Sequence, residues 1–288
     1  MNFKNSTKQP RTIAIPKYII FLVRGLEFFS TQLTAKIGTK IFSTPVKLSM
    51  PKREQIMFKS AQKKTLNIPS ISKNIEVLSY GYSKKKVLLV HGWAGRGTQL
   101  YMIADKLLEK GYMVISFDGP AHGKSSGKAT TMPEFLEVIN VIDKKYGPFE
   151  AAIGHSFGGM CLYNSVATNF KIKKLITVGA ADIISEVILN FTKNLKVKPM
   201  VAIKMKNIFD VQWNRDIDMH SSSIVAKKIN IPTLVVHDAN DADVCVSCAI
   251  NIRQNLNKGT LLITKGLGHS KILYNQKVIT NIVNFIIE

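Results

Sequence analysis

Cysteine is scarce in this sequence. Three cysteines among 288 residues cannot all pair within one chain, and their spacing does not resemble a disulfide framework. The sequence therefore predicts a protein of a reducing compartment, with the cytoplasm as the expected location. The length allows one large or two modest domains, and a hydrophobic content of 45% is typical of a folded globular protein.

The sequence also lacks an apolar run long enough to cross a membrane. The longest stretch near the N-terminus, Tyr18 to Val23, is ended by Arg24, whereas a membrane-spanning helix needs about 20 apolar residues. The same run is too short for a secretory signal and has no small-x-small cleavage site beside it. We expect neither a membrane-spanning segment nor a cleaved leader.

Acidic residues and arginine are few compared with lysine. The chain has 19 Asp and Glu against 40 Lys and Arg, a net charge of +21, and only 6 of the basic residues are arginine. Residues 1–90 contain 17 basic and 3 acidic residues. No zinc-finger spacing, RNP aromatic motif or basic heptad pattern accompanies this charge. The charge therefore predicts a solvated lysine-rich surface and no nucleic-acid partner, with contact to an anionic membrane as the alternative.

An amphipathic pattern lies within this basic segment and is followed by Pro45. Apolar residues recur at spacings of three and four with charged residues between them, which predicts one amphipathic helix. We interpret residues 1–70 as a helical extension whose apolar stripe packs on the main domain. Peripheral membrane contact is the alternative. The stripe consists of Ile19, Leu22, Leu26, Phe29, Leu33, Ile37 and Ile41.

From Ile75 onward, short β-like runs alternate with longer helical patterns. This alternation predicts a mostly parallel central sheet flanked by helices. More than fifty residues with helical patterns separate Val178 from Thr233, so we expect a small helical cap inserted at about residues 181–224 of a domain spanning residues 71–288. The predicted strands are Ile75–Tyr80, Val87–His91, Met113–Asp118, Glu150–Gly154, Lys174–Val178, Thr233–His237 and Thr260–Thr264.

The strongest signal for chemistry is the pentapeptide Gly154-His155-Ser156-Phe157-Gly158, which lies between an apolar strand and a helical pattern. A sharp strand-to-helix turn of this kind exposes a serine oxygen above the sheet. Ser156 is therefore the candidate nucleophile. The Phe157 N–H of the same turn is a candidate donor to a developing oxyanion.

A serine nucleophile needs a base and a carboxylate that orients the base. His269 follows the last predicted strand and is the best placed of 6 histidines. Asp238, Asp241 and Asp243 all follow the strand before it. We expect Asp238 to stay at the strand end and Asp243 to cap the next helix. Asp241 is then the candidate acid, with Asp243 as the next choice.

With these features the chain resembles the α/β-hydrolase superfamily. The matching stretches are Val87–Gly95, the turn Asp118–Ser125, the pentapeptide around Ser156, and Gly268-His269. The resemblance implies that the Trp93 N–H is a second oxyanion-hole donor. It also implies an α/β-hydrolase fold and a cofactor-independent serine hydrolase that acts on a small-molecule carboxylic ester or related acyl bond.

Other interpretations stay open at this point. An acyltransferase would use the same three residues, and a noncatalytic binding protein would share the fold. In the cap, Val187, Ile188 and Phe191 are candidate acyl-binding residues, although packing within the cap explains them equally well. The pair Cys245 and Cys248 is weak evidence for redox or metal chemistry, because structural zinc needs four ligands. We predict no metal.

Overall fold

Eight strands form one sheet in the computed structural model, which describes residues 15–288. The strand order is β1-β2-β4-β3-β5-β6-β7-β8. The first two strands run antiparallel to their neighbours and the rest are parallel. The expected mostly parallel sheet is confirmed. The strands are β1 (Gln62–Ile68), β2 (Lys73–Tyr80), β3 (Lys86–Val90), β4 (Met113–Phe117), β5 (Phe149–His155), β6 (Ile172–Val178), β7 (Thr233–Asp238) and β8 (Gly259–Thr264).

Helices cover both faces of the sheet. They are α1 (Lys17–Phe29), α2 (Thr31–Phe42), α3 (Gln55–Ser60), α4 (Tyr101–Glu109), α5 (Met132–Tyr146), α6 (Phe157–Thr168), α7 (Ile184–Leu195), α8 (Pro199–Trp213), α9 (Ser222–Ala226), α10 (Val246–Gln254), α11 (Gly268–Lys271) and α12 (Gln276–Ile287). The central strands are buried on both sides, so each face needs a helical cover. The cluster on one face includes α4 and α12, and the cluster on the other includes α5, α6 and α10.

The edge strand β1 was not expected from the sequence. It lies within the predicted extension and pairs with β2 from Gln62 opposite Ser79 to Ile68 opposite Lys73. Only Leu66 and Ile68 of this strand are buried. Because most of its side chains face water, it has little of the apolar alternation by which strands are predicted. The end of the predicted extension therefore joins the sheet.

The N-terminal segment forms two helices, so the prediction of one long helix is wrong. The backbone at Ser30 is extended, with φ of −157°. Its Oγ accepts a hydrogen bond from the Leu33 N–H at 3.2 Å, and this N-cap starts α2 in a new direction. The break changes which residues of the predicted stripe are buried.

Three helices, α7, α8 and α9, lie between β6 and β7, where the cap was expected. The N-terminal helices pack on this cap, with α2 against α8 and α1 against α7. The Lys198 N–H donates to Glu27 Oε1 at 2.7 Å, and Lys204 Nζ donates to Gln32 Oε1 at 3.1 Å. Cap and extension therefore form one layer beside the carboxyl ends of the parallel strands.

Candidate active site

Ser156 lies at a sharp turn between β5 and α6. Its backbone is in a strained region, with φ of 52° and ψ of −120°, where a non-glycine residue is uncommon. The turn needs glycine on both sides: a Cβ on Gly154 would lie 2.7 Å from backbone atoms of Gly158, and one on Gly158 would lie 2.4 Å from Val90 O. The Ser156 N–H donates to Val178 O at 2.8 Å, which fixes the turn above the sheet.

Ser156, His269 and Asp241 are in direct contact, although they are far apart in the sequence. Ser156 Oγ lies 2.9 Å from His269 Nε2, and His269 Nδ1 lies 2.6 Å from Asp241 Oδ2. His269 belongs to the short helix α11 after β8, and Asp241 to the turn after β7. The three loops meet because β5, β7 and β8 all end at the same edge of the sheet.

The Asp241 carboxylate is held by its own turn. Oδ1 accepts the N–H groups of Asp243 at 2.8 Å and Val244 at 2.9 Å, while Oδ2 faces His269. Burial by itself raises the pKa of Asp241, but the hydrogen bond and charge of His269 and the Val244 N–H outweigh it. The pKa of Asp241 is therefore lowered, and the carboxylate is ionised where it contacts the imidazole.

The neighbouring aspartates have other positions. Asp238 is buried at the end of β7, and its Oδ2 accepts hydrogen bonds from Thr264 Oγ1 at 2.7 Å and the Leu267 N–H at 3.0 Å. It thereby holds the loop that carries His269. The expectation that Asp243 caps the next helix is wrong, because α10 begins at Val246 and its N-cap is Cys245.

The predicted oxyanion-hole residues lie on either side of Ser156. Phe157 is the first residue of α6, where helix geometry leaves the N–H without an intrahelical acceptor. The N–H groups of the two residues that flank Trp93 are hydrogen-bonded within the protein. Gly92 donates to Gln99 Oε1 at 2.9 Å, and Ala94 donates to His122 Nε2 at 3.1 Å. The aromatic rings of Trp93 and Phe157 meet edge to face, with centroids 5.3 Å apart.

Two buried histidines, His91 and His122, hydrogen-bond to the backbone near Trp93. His91 Nε2 accepts the Gly119 N–H at 2.8 Å, and His122 Nδ1 contacts Pro120 O at 2.9 Å. Burial lowers the pKa of His91 to about 4 and that of His122 to about 3. Both rings are therefore neutral, as their acceptor roles require.

Two further histidines surround His269 and Asp241, and the sequence predicts no role for them there. His155 Nε2 lies 3.0 Å from His269 O. His237 Nε2 lies 3.0 Å from Val244 O and 3.4 Å from Asp241 Oδ2. Both are buried, and burial lowers the pKa of each. The only signal in the sequence was their place at the ends of strands β5 and β7.

An apolar cavity of about 70 Å³ opens beside Trp93 and Phe157. Of the predicted acyl-binding residues, Val187 and Ile188 line it. Phe191 does not: its ring packs on Phe42, with centroids 5.1 Å apart. The cavity is lined by Phe42, Ser43, Trp93, Thr130, Thr131, Met132, Phe157, Met160, Ile184, Val187, Ile188, Phe209, Trp213 and Ile217.

Other apolar cap residues differ in position, and most of the lining residues, Phe42 among them, were not predicted. Phe209 lines the cavity, Leu195 is buried elsewhere, and Ile203 is 52% exposed. Phe42 comes from the end of α2, so the N-terminal extension contributes to the wall. The sequence could not indicate this, because the contact depends on how α2 packs against α8.

Within the described residues, one group of side chains has metal-ligand spacing: Asp241, Asp243 and His269. Two of these are already hydrogen-bonded to each other. The pair Cys245 and Cys248 carries no disulfide, and burial raises the pKa of Cys248 to about 11. This direction opposes the stabilised thiolate that a redox pair requires.

The sheet order, the helices on both faces and the serine at the sharp turn between β5 and α6 define an α/β protein of the hydrolase-like type. Residues 85–230 match the α/β hydrolase fold family. This is just over half of the chain, and the protein belongs to that family. No match was found among curated proteins.

Solved structures resemble the chain at low sequence identity. A candidate lipase from Acinetobacter baumannii is 21% identical, covers 84% of this chain and 97% of its own, and gives a TM-score of 0.64. An esterase from Exiguobacterium antarcticum is also 21% identical, with 79% and 100% covered and a TM-score of 0.60. A membrane phospholipase A described as a bacterial virulence factor is 17% identical, with 94% and 98% covered and a TM-score of 0.62. These likenesses show the fold.

Proposed function

We propose that this protein is a serine hydrolase that cleaves a carboxylic ester or a related acyl bond through an acyl-enzyme. The observation that carries the proposal is the continuous contact from Ser156 Oγ through His269 to Asp241, over 2.9 Å and 2.6 Å. The description of two structural neighbours as a candidate lipase and an esterase supports it. No cofactor takes part in the proposed reaction.

In the first half-reaction Ser156 Oγ attacks the substrate carbonyl carbon while His269 Nε2 takes the hydroxyl proton. The N–H groups of Trp93 and Phe157 donate to the negative oxygen that forms. When this intermediate collapses, the bond from the carbonyl carbon to the leaving oxygen breaks, and His269 gives its proton to the leaving alcohol. Asp241 accepts a hydrogen bond from His269 Nδ1 throughout and stabilises the imidazolium.

In the second half-reaction water replaces the alcohol. His269 takes a proton from the water as its oxygen attacks the acyl carbon bound to Ser156. Collapse of the second intermediate releases the carboxylic acid, and His269 returns the proton to Ser156 Oγ. An acyl acceptor other than water would make the same site an acyltransferase.

The cavity beside the oxyanion donors supports a short acyl group. Its volume is about 70 Å³, whereas a single water needs roughly 10 to 15 Å³ on a comparable measure. Its walls are mainly aliphatic and aromatic side chains, including Val187 and Ile188. We therefore propose an acyl chain of only a few carbons as the preferred substrate group.

The experiment is hydrolysis of a p-nitrophenyl ester series of increasing acyl length. We expect highest kcat/KM for short chains, and Ser156→Ala should lower kcat by about a millionfold. Circular dichroism of Ser156→Ala checks that the fold is intact. Turnover of no ester by a folded wild-type protein would overturn the proposal and favour a noncatalytic binding role, and acyl transfer to added alcohol in preference to water would favour an acyltransferase.

A further inference from the structure

The outward face of α1 is almost entirely apolar and has no covering element among the described residues. Its members follow the spacing of a single helix face: Tyr18, Phe21, Leu22, Gly25, Phe28 and Phe29. Phe21, Phe28 and Phe29 are each about 80% exposed or more, at 79%, 87% and 82%. Apart from its chain neighbours and the backbone of its own helix, no atom lies within 4 Å of where a Gly25 side chain would begin. We call these six residues the aromatic face of α1.

The opposite face of the same helix is fixed to the protein. Val23 is 2% exposed, and Ile19 and Leu26 are half-buried. Glu27 Oε1 accepts the backbone N–H of Lys198, between α7 and α8, at 2.7 Å. The helix therefore has two apolar faces, and packing against the cap satisfies only one. Leu22, Phe29 and Leu33 of the predicted stripe are exposed, so packing of the whole stripe on the body is wrong.

The charges around the aromatic face are almost all positive. Helices α1 and α2 carry four basic residues and one acidic residue, Glu27. The carboxylate of Glu27 is turned toward the cap by its bond to the Lys198 N–H. Lys17 and Arg24 border the aromatic face and are exposed, as are Lys193, Lys196 and Lys198 in and after α7. An occupant of this face must therefore be apolar at its centre and negative at its rim.

We propose that the aromatic face of α1 lies in the interfacial layer of an anionic lipid bilayer. Aromatic and leucine side chains favour that layer, and lysine and arginine beside them favour anionic headgroups. Every helix within residues 15–288 is too short or too polar to cross a bilayer, so the binding is peripheral and reversible. α1 packs on α7 and α2 carries Phe42 to the acyl cavity, so the membrane contact holds the cap side of the protein toward the lipid.

The test is co-sedimentation of the full chain with phosphatidylcholine vesicles that contain or lack phosphatidylglycerol, at low and high salt. We expect binding to the anionic vesicles at low salt and weaker binding at high salt, because surface charges are screened. The double variant Phe21→Glu and Phe28→Glu should lose at least about tenfold in vesicle affinity, because it places two charges at the apolar contact. Vesicle binding is independent of the proposed ester hydrolysis.

A matched control places the same two charges away from α1. Ile56 and Tyr82 are 71% and 85% exposed. Ile56 lies in α3, which contacts β2. Tyr82 follows β2 at the end of the sheet opposite Ser156, because β2 runs antiparallel to β4. Ile56→Glu with Tyr82→Glu should bind vesicles as wild type does. Equal binding by all three proteins, or no binding by wild type, would overturn the proposal. So would a wild-type dimer that the α1 variant dissociates, in the absence of vesicle binding.

Discussion

Each of the three aspartates at the end of β7 and in the turn that follows it makes different hydrogen bonds. Asp238 holds the loop before His269, Asp241 contacts His269 itself, and Asp243 supplies a backbone N–H to Asp241 Oδ1. Chain order and motif predicted Ser156 and His269 from the sequence, and the structure places these two side chains in contact. The carboxylate partner of His269 was harder to predict. Three aspartates lie within six residues, and only the conformation of the turn determines which of them faces His269.

The first prediction separates the two candidate acids. Asp241→Asn should lower kcat by about 10⁴-fold, because the amide cannot hold the His269 tautomer or stabilise its charged form. Asp243→Asn keeps the backbone N–H that Asp241 uses, so its kcat should stay within about threefold of wild type. Steady-state kinetics on one short ester checks both. The reverse order of effects would assign the acid to Asp243.

At the scale of elements, the N-terminal helices could be predicted only in part. The apolar spacing correctly indicated helices, but the break at Ser30 depends on a side-chain cap that a continuous pattern conceals. In addition, α1 is apolar on two faces, and spacing alone cannot tell which face is buried. The contribution of Phe42 to the apolar cavity beside Trp93 and Phe157 follows from the packing of α2 on α8, which no local pattern encodes.

The second prediction concerns Phe42 at the wall of the proposed acyl-binding cavity. Its ring packs edge to face against Phe191 at 5.1 Å and Phe209 at 5.8 Å. Phe42→Ala should enlarge the cavity and favour longer acyl chains. The kcat/KM for a longer ester relative to that for a shorter one should rise by about tenfold or more per added methylene, which is the usual range for an apolar pocket. The p-nitrophenyl ester series measures this. Phe28→Ala, on the exposed face of α1, is the control and should leave the preference among acyl lengths unchanged. An equal change in both variants would contradict a role for Phe42 in acyl selectivity.

At the scale of the whole molecule, four histidines are buried around the site: His91, His122, His155 and His237. Burial lowers the pKa of His91 to about 4 and the pKa values of His122 and His155 to about 3. In the unfolded chain each imidazole titrates near its ordinary value of 6.5. Below that pH the unfolded chain binds protons at these imidazoles and the folded protein does not. The free energy of unfolding therefore falls as the pH falls.

The third prediction is that the folded protein loses stability at pH values well above those at which carboxylates titrate. From about pH 7.5 to 5.5, each of His91, His122 and His155 should lower the free energy of unfolding by about 1 kcal/mol. Urea unfolding at a series of pH values measures the effect. His122→Asn should give a less stable protein whose stability depends less steeply on pH. If the stability of the wild-type protein does not change over this pH range, the assignment of the buried histidines as neutral would be contradicted.

Much of the overall fold could be predicted because its central strands are continuous apolar runs separated by helical patterns. All seven predicted strands are present within two residues of their expected limits. The strand that was missed, β1, has buried side chains only at Leu66 and Ile68. It pairs with β2 as an antiparallel hairpin, with Ile68 opposite Lys73, and a half-exposed edge strand of this kind carries little apolar pattern in its sequence.

The central claim is that Ser156 is the nucleophile, and covalent labelling with a fluorophosphonate tests it most directly. The probe phosphonylates a serine whose proton a neighbouring base removes, with loss of fluoride. We predict one adduct per wild-type chain, located at Ser156 by mass spectrometry of its peptides, and no adduct on the folded Ser156→Ala variant. Labelling of Ser156→Ala equal to that of wild type, or an adduct on any other residue, would contradict the assignment.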